Sequence, residues 1–383
     1  MKEIHEIKIG IIGGGQLGKM ILSESNRMNL KTLVLDSNEN SPCKNLCDNF
    51  YLGNLDNYND IIEFGQKCDL ITFEIEHINI DALFELEKIG KKVYPKPQTL
   101  SIIQDKSKQK QFYNENNLPT SDFNYYKNLE KLHDDINIGK IRFPSVWKKT
   151  KYGYDGFGVK VLKSKKDVSN LPDCEMIIED FIPFKKELAV IVARNLNGEI
   201  KTYETVEMEF NVISNQVEFV ISPSKISKEL NLRAKKIAIE VTKKIDNIGL
   251  LAVEMFLTHD NNILINEVAP RPHNSGHFTI EACPTSQFEQ HLRSILNLKL
   301  GNTKHNGNAI MLNLVGNDGF EGNVFYENLH EAFNEENTHL HIYGKEKTRA
   351  NRKMGHITII CDKFEEAYKR ATKLKNRIKV KSI

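Results

Sequence analysis

Short apolar runs recur along the first hundred residues and alternate with segments of helical period. Lys8–Ile12 reads as a buried strand, Gly13–Gly15 as a turn and Gln16–Met28 as a helix. Thr32–Leu35 is a second strand ending at Asp36, and Leu70–Phe73 another apolar run ending at Glu74. Ile80–Ile89 is helical, and Lys92–Tyr94 is a strand stopped by Pro95 and Pro97. Strands alternating with helices predict βαβ units on a parallel sheet.

The texture changes after Ser101. Asp105–Asn116 reads as a charged helix, followed by strands at Ser145–Lys149, Val159–Leu162, Met176–Asp180, Leu188–Arg194, Lys201–Val206 and Val217–Ile221. Leu230–Ile248 reads as an amphipathic helix ended by Gly249, and Leu250–Leu257 with Ile263–Val268 as a hairpin around a polar turn. From Gly301 short strands are mixed with a basic stretch, Lys345–Lys353. This part predicts α+β architecture with antiparallel sheet, and soft boundaries near residues 105, 195 and 300.

Composition narrows the function. At roughly 100–200 residues per domain, 383 residues imply two or three domains. Lys+Arg 53 against Asp+Glu 51 leaves a net charge of +2, too little basic excess for a nucleic-acid coat. No run approaches the roughly 20 apolar residues of a spanning helix, and the N-terminus lacks a signal-peptide pattern. A cytoplasmic protein without membrane partners is expected. The six cysteines are scattered and read as free thiols.

Five stretches carry candidate chemistry. Gly13-Gly14-Gly15-Gln16-Leu17-Gly18 fits G-x-G-x-x-G between a strand and a helix, with Asp36 closing the next strand. Glycines let a backbone approach phosphate, so a dinucleotide site and a mononucleotide or sugar-phosphate site both fit. The hairpin is the second. With a loop of His259-Asp260-Asn261-Asn262, Thr258 pairs with Ile263 and Glu254 falls opposite Glu267. Like charges facing one another within apolar strands destabilise a sheet, and a hard cation with nucleotide phosphates would resolve the conflict. Asn266 would add an oxygen. Third, Lys148 on a strand precedes the loop Gly153-Tyr154-Asp155-Gly156-Phe157-Gly158, an arrangement suited to triphosphate. Fourth, Ala269–His277 places Arg271, His273 and Asn274 beside the glutamates, suited to a small anion. The basic stretch Lys345–Lys353, flanked by Gly344 and Gly355, reads either as a solvated face or as a phosphate-binding loop.

Together these stretches resemble the ATP-grasp superfamily, and more closely the N5-carboxyaminoimidazole ribonucleotide synthases of purine biosynthesis. IGIIGGGQLGKM, TFEIEHI, QDKSKQKQF, KYGYDGFGV, GLLAVEMF, INEVAPRPHNSGHFT and YGK…RKMGH carry the resemblance, from about Ile9 to His356. It implies an ATP-grasp fold: a Rossmann-like parallel-sheet domain (1–105), a central lid (106–195), a catalytic subdomain (196–300) and a mixed-sheet extension (301–383). It implies carboxylation of 5-aminoimidazole ribonucleotide by bicarbonate through carboxyphosphate, with ATP and Mg²⁺ (or Mn²⁺). By the same resemblance Lys106, Lys148, Glu179, Ile182, Glu187, Asn266 and Glu267 hold ATP together with the loop 153–158, and Glu254 and Glu267 bind the metal. Gly15, Gln16, Leu17, Glu76, Lys345, Arg352 and Lys353 meet the ribonucleotide, and Tyr154, Arg271, His273 and Asn274 sit near bicarbonate. A homodimer and a functional link to the N5-carboxyaminoimidazole ribonucleotide mutase are expected. Phe210 stands where the family more often has histidine, and Arg349-Ala350-Asn351 where it commonly has Arg-Pro-Gly. The alternatives are a glycinamide ribonucleotide transformylase or biotin carboxylase of the same superfamily, an NAD(P) oxidoreductase, and a non-catalytic binding protein.

Overall fold

The computed structural model describes residues 3–151, 153 and 158–383. The first hundred residues form β1 (Lys8–Ile12), α1 (Gln16–Arg27), β2 (Lys31–Asp36), β3 (Asn49–Leu52), α2 (Tyr58–Gln66), β4 (Leu70–Phe73), α3 (Ile80–Lys88), β5 (Lys92–Val93) and α4 (Pro97–Ile103). The five strands make one parallel sheet in the order β3-β2-β1-β4-β5. Its central strands are buried on both faces, which is why they read as continuous apolar runs. β3 is short and half exposed, with no run to announce it.

α5 (Lys106–Glu115) leads into a second unit with β6 (Phe123–Tyr126), α6 (Leu129–Asn137), β7 (Ser145–Lys149), β8 (Val159–Leu162) and β9 (Met176–Asp180). Its antiparallel sheet has the order β6-β9-β7-β8. Asp105 caps α5 by accepting the Ser107 and Lys108 N–H groups. The Lys106 N–H donates to the Thr150 carbonyl (2.8 Å), pinning the start of α5 to the segment after β7.

The largest sheet is built from β10 (Phe184–Arg194), β11 (Ile200–Thr202), β12 (Val206–Phe210), β13 (Val217–Ser222), β14 (Gly249–Thr258) and β15 (Ile263–Ala269), with α7 (Lys228–Lys244), α8 (Thr279–Ala282) and α9 (Gln287–Ile295) around them. It continues through β16 (Asn308–Val315), while β17 (Gly322–Glu327) joins a separate ribbon. β18 (Thr338–Ile342), β19 (Lys347–Thr348), β20 (Lys353–Cys361), α10 (Phe364–Arg377) and β21 (Lys379–Ser382) complete the chain. The order β15-β14-β10-β12-β13-β16-β20-β18 runs unbroken across residues 195 and 300.

Three local expectations need correction. Lys201–Val206 is not one strand: β11 and β12 pair with different parts of β10, and the chain bends between them at the buried Tyr203, whose hydroxyl donates to the Thr285 carbonyl. The helix predicted over Leu230–Ile248 starts at Lys228, capped by Ser227, and stops at Lys244 because Asp246 takes a left-handed conformation (φ 53°). In the hairpin, Leu257 and not Thr258 pairs with Ile263, and the register shifts between Glu254 and Met255, with Asn266 as the extra residue. The bulge cancels the one-residue error, so Glu254 does face Glu267.

The N-terminal unit is fastened to the largest sheet through His291 on α9. The Leu250 N–H donates to its Nδ1 (3.4 Å), which leaves Nε2–H to donate to the Thr72 hydroxyl (2.8 Å). Gly249 (φ 106°) lies against this ring, where a Cβ would come within 3.1 Å of it. The site-bearing strands are thereby held in fixed relation to the glycine turn after β1. Among the described residues, no helix is long and apolar enough to cross a membrane.

Candidate active site

The two glutamates sit at the centre of a cleft lined also by Glu76, Lys106, Gly153, Arg271 and His273. Lys106, the first residue of α5, places its Nζ 2.6 Å from Glu267 Oε2. His273 Nε2 is 3.3 Å from Glu254 Oε1. The environments of the pair diverge. Burial, then the charges of Glu267 and Glu187, push the Glu254 carboxyl upward. The Lys106 charge holds Glu267 low. Glu187, on β10, is pushed up to about 7 by burial and then by Glu267. Of these three carboxylates, the surroundings thus favour the ionised form of Glu267 and disfavour that of Glu254 and Glu187. Among the described residues no group of three His, Cys, Asp or Glu side chains forms a closed cage. The donor set fits a hard cation that takes its remaining oxygens from a nucleotide, as Mg²⁺ does.

A consequence for stability follows. Glu254→Gln replaces a carboxyl whose ionised form its surroundings disfavour and is expected to leave unfolding free energy unchanged or higher at pH 7. Glu267→Gln strips Lys106 of its partner and is expected to cost about 1 kcal/mol, modest because the Glu267 side chain is 43% exposed. Urea denaturation without nucleotide or metal measures both; a larger loss for Glu254→Gln would contradict the assignment of charges.

Lys148 on β7 is buried beside this pair. It donates to Asn266 Oδ1 (2.9 Å), the bulge residue of the hairpin, and lies 3.1 Å from Glu179 Oε1 on β9. Glu179 is 4% exposed, and burial alone would raise its carboxyl; Lys148 and Lys110 more than offset that and hold it low. The strands β7 and β9 are adjacent, which sets Lys148 and Glu179 on one face. Lys110 was not among the expected residues. Its place four residues after Lys106 on the same helix was the available signal. Gly158 accepts from the Lys149 N–H (2.8 Å) at φ 79°. Tyr154, Asp155, Gly156 and Phe157 lie outside the described residues. Ile182 lies half-buried in the connection from β9 to β10.

Beyond β15 the backbone of His273 is clamped by Gln287, which accepts from its N–H (2.9 Å) and donates to its carbonyl (2.8 Å). Asn274 forms a reciprocal amide pair with Asn313 of β16 (2.8 and 2.9 Å). Arg271 is 3.1 Å from Glu76 and has a buried Nε with no partner. The residue itself lines the cleft beside the glutamates.

The glycine turn differs from a free anion cradle. The Gly14 N–H donates to Asp36 Oδ2 (2.5 Å) and the Gly15 N–H to Glu74 Oε1 (2.8 Å). Glu74, buried and pushed upward by that burial, was read only as the end of a strand. Gln16 and Leu17 open α1 directly behind the turn. The basic segment packs alongside: Lys19 Nζ donates to the Ile342 carbonyl (2.8 Å), and Asn40 Nδ2 donates to Glu346 Oε2 (3.0 Å). Lys345 Nζ donates to the Lys353 carbonyl (2.8 Å), and Arg352 Nη1 to that of Lys347 (2.5 Å). The Lys353 charge reaches Glu254. Asn351 adopts φ 63°, so the departure from Arg-Pro-Gly keeps a left-handed bend where glycine commonly stands. Phe210 ends β12 at a register shift against Val217.

A parallel-sheet domain, a small unit with a four-stranded antiparallel sheet and a large sheet carrying facing glutamates define an ATP-grasp protein. Residues 111–288 match the ATP-grasp domain, residues 6–104 the ribonucleotide synthetase preATP-grasp domain, and residues 309–370 the phosphoribosylaminoimidazole carboxylase C-terminal domain. The chain belongs to the N5-carboxyaminoimidazole ribonucleotide synthase family. It is 36% identical over 364 residues to the enzyme of that name from Bacillus subtilis, covering 94% of this chain and 92% of that one. The crystal structure of the Thermotoga maritima synthetase superposes with a TM-score of 0.90 at 41% identity, covering 98% of this chain and 100% of that one. A structure from Aspergillus clavatus in complex with ADP and 5-aminoimidazole ribonucleotide matches with a TM-score of 0.88 at 31% identity, covering 97% and 98%. The chain spans about two thirds of the length of the fungal phosphoribosylaminoimidazole carboxylases it also matches.

Proposed function

We propose that the protein carboxylates 5-aminoimidazole ribonucleotide with bicarbonate at the expense of ATP, giving N5-carboxyaminoimidazole ribonucleotide, ADP and phosphate. The observation that carries this reading is the convergence, in one cleft, of the Glu254–Glu267 pair, the phosphate-suited Lys106 and the Arg271–His273 segment, with Lys148 buried just behind them on Asn266 and the basic loop 345–353 docked beside the N-terminal turn. Bicarbonate is a poor electrophile. Transfer of the γ-phosphoryl group to one of its oxygens gives carboxyphosphate and ADP. The exocyclic amine then takes the carboxyl carbon, directly or as released CO₂, and phosphate and a proton leave. Mg²⁺ held by Glu254 and Glu267 would offset charge on the transferring group.

The chain's own residues supply the rest. Lys106 and Lys148 stabilise negative charge on the phosphates, since an ionic contact in a water-poor site is worth more than the same contact in water. Arg271 and the Gln287-clamped His273 hold bicarbonate against the glutamates, with Asn274 fixed by Asn313. Because Asp36 and Glu74 occupy the N–H groups of Gly14 and Gly15, the turn suits the hydroxyl groups of a ribose better than a phosphate. The phosphate then falls to Lys345, Arg352 and Lys353. A homodimer, and a mutase acting on the product, belong to the same reading.

Lys345→Ala is accordingly expected to weaken 5-aminoimidazole ribonucleotide binding about ten- to a hundredfold, the value of one charge-assisted phosphate contact. ATP affinity should change less than about twofold on the same scale. Titration calorimetry with each ligand separates the two. Tight NAD binding by the wild-type protein, with no affinity for the ribonucleotide, would overturn the assignment in favour of a dinucleotide enzyme.

A further inference from the structure

We propose that Lys110 is a standby counter-ion for Glu179, and that its presence allows Lys148 to leave that carboxylate for the phosphates of ATP. The inference rests on the ATP reading above and adds a positioning residue to it. Lys110, Lys148 and Glu179 are 2%, 7% and 4% exposed, so two cations share one carboxylate in a site nearly closed to water. The sharing is unequal. Glu179 Oε2 accepts the Ser121 hydroxyl (3.0 Å) and lies 3.3 Å from Lys110 Nζ. Its Oε1 faces Lys148 Nζ at 3.1 Å and, unlike Oε2, accepts no hydroxyl among the described residues.

The two lysines also differ in how firmly they are held. Lys110 Nζ donates to the Thr120 and Ser121 hydroxyls (2.7 Å each) and pairs with Glu179, so it is anchored on three sides. Lys110 has nothing left for a ligand. Lys148 has Asn266 Oδ1 and Glu179 Oε1, and Asn266 adjoins Glu267, which lines the cleft. An anion arriving there competes only for Lys148.

That competition depends on what Lys148 leaves behind. A buried carboxylate stripped of its only partner is strongly unfavourable, whereas one that keeps a cation and a hydroxyl is not. With Lys110 in place, Glu179 stays compensated when Lys148 turns to phosphate. Without it, Lys148 is the only counter-charge and is held back. Burial lowers Lys110 to about 8, which leaves it mostly protonated at neutral pH. Glu179 therefore acts on ATP through the lysines, since its own oxygens point at Lys110, Ser121 and Lys148.

The test is equilibrium binding of ATP with Mg²⁺ to wild type, Lys110→Met, Glu179→Gln and the double variant, with 5-aminoimidazole ribonucleotide as control ligand. Lys110→Met should weaken ATP about ten- to a hundredfold, with the control within about twofold. The double variant should regain about tenfold or more, because a neutral amide no longer detains Lys148. A merely structural role predicts the opposite, a double variant as weak as or weaker than Lys110→Met, and that result overturns the proposal. So does wild-type ATP affinity in Lys110→Met. If Lys110→Met does not fold, Glu179→Gln alone decides: ATP affinity equal to or tighter than wild type supports the proposal, and weaker binding refutes it. A wild-type protein that binds no ATP would refute the functional reading instead.

Discussion

Glu267→Gln is expected to lower turnover about a thousandfold, the upper range for losing a preorganised charge at a reacting centre. The side chain keeps its size and loses its charge. Two consequences meet at one point. Lys106, whose Nζ now rests 2.6 Å from Glu267, loses the partner that aims it into the cleft. The facing pair with Glu254 loses the member that stays ionised, so the site no longer presents two carboxylates to a cation. The fold should survive, because β14 and β15 are held by their backbone ladder and by apolar neighbours such as Val253, Met255 and Val268. Steady-state kcat, read beside urea denaturation of the same sample, makes the comparison. Turnover within tenfold of wild type in a folded variant would show that Glu267 has no part in the chemistry.

The second large effect concerns pH. His291 is fully buried between Thr72 and the Leu250 N–H, and burial lowers its pKa from 6.5 to about 4. The unfolded chain therefore binds a proton that the folded one refuses between those values. Stability from this group is complete above the unfolded pKa and is lost as pH falls from about 6.5 toward 4. The loss amounts to about 2 kcal/mol between pH 7 and pH 5, and about 3 kcal/mol by pH 4. His277 and His356 are lowered by burial in the same direction, while the raised carboxylates Glu74, Glu187 and Glu254 act oppositely. His291→Gln isolates the term: its unfolding free energy should depend less on pH than that of wild type by about 2 kcal/mol over pH 7 to 5. Parallel pH profiles for the two proteins would show that His291 is not held neutral by the domain junction.

Much of the site was legible because its residues lie in local patterns. A polar turn between two apolar runs announced the hairpin, and carboxylates inside those runs marked the cleft. The predicted facing of Glu254 and Glu267 was reached through a register off by one residue, which the bulge at Asn266 happened to restore. A bulge has no composition signal of its own here. It matters, since the same residue gives Lys148 its acceptor.

What was not legible is long-range. Glu74 stands 59 residues from the Gly15 N–H it accepts, and Lys110 looks like one more surface lysine in a charged helix. Its burial depends on Thr120, Ser121 and Glu179 arriving from outside that helix. The turn after β1 illustrates the same limit. Its glycines predicted a free anion cradle, but two distant carboxylates take the N–H groups. Asn351, by contrast, could be understood at once from its φ of 63°, because asparagine tolerates the left-handed region better than most residues.

The central claim is that ATP cleavage is coupled to carboxylation of one particular amine. ADP release measured alongside ¹³C-bicarbonate incorporation tests it most directly, with 5-aminoimidazole ribonucleotide, glycinamide ribonucleotide plus formate, and biotin supplied in turn. The account predicts one labelled carboxyl per ADP with 5-aminoimidazole ribonucleotide and negligible ADP with the other two. Equal ADP release with glycinamide ribonucleotide and formate, or with biotin, would contradict it.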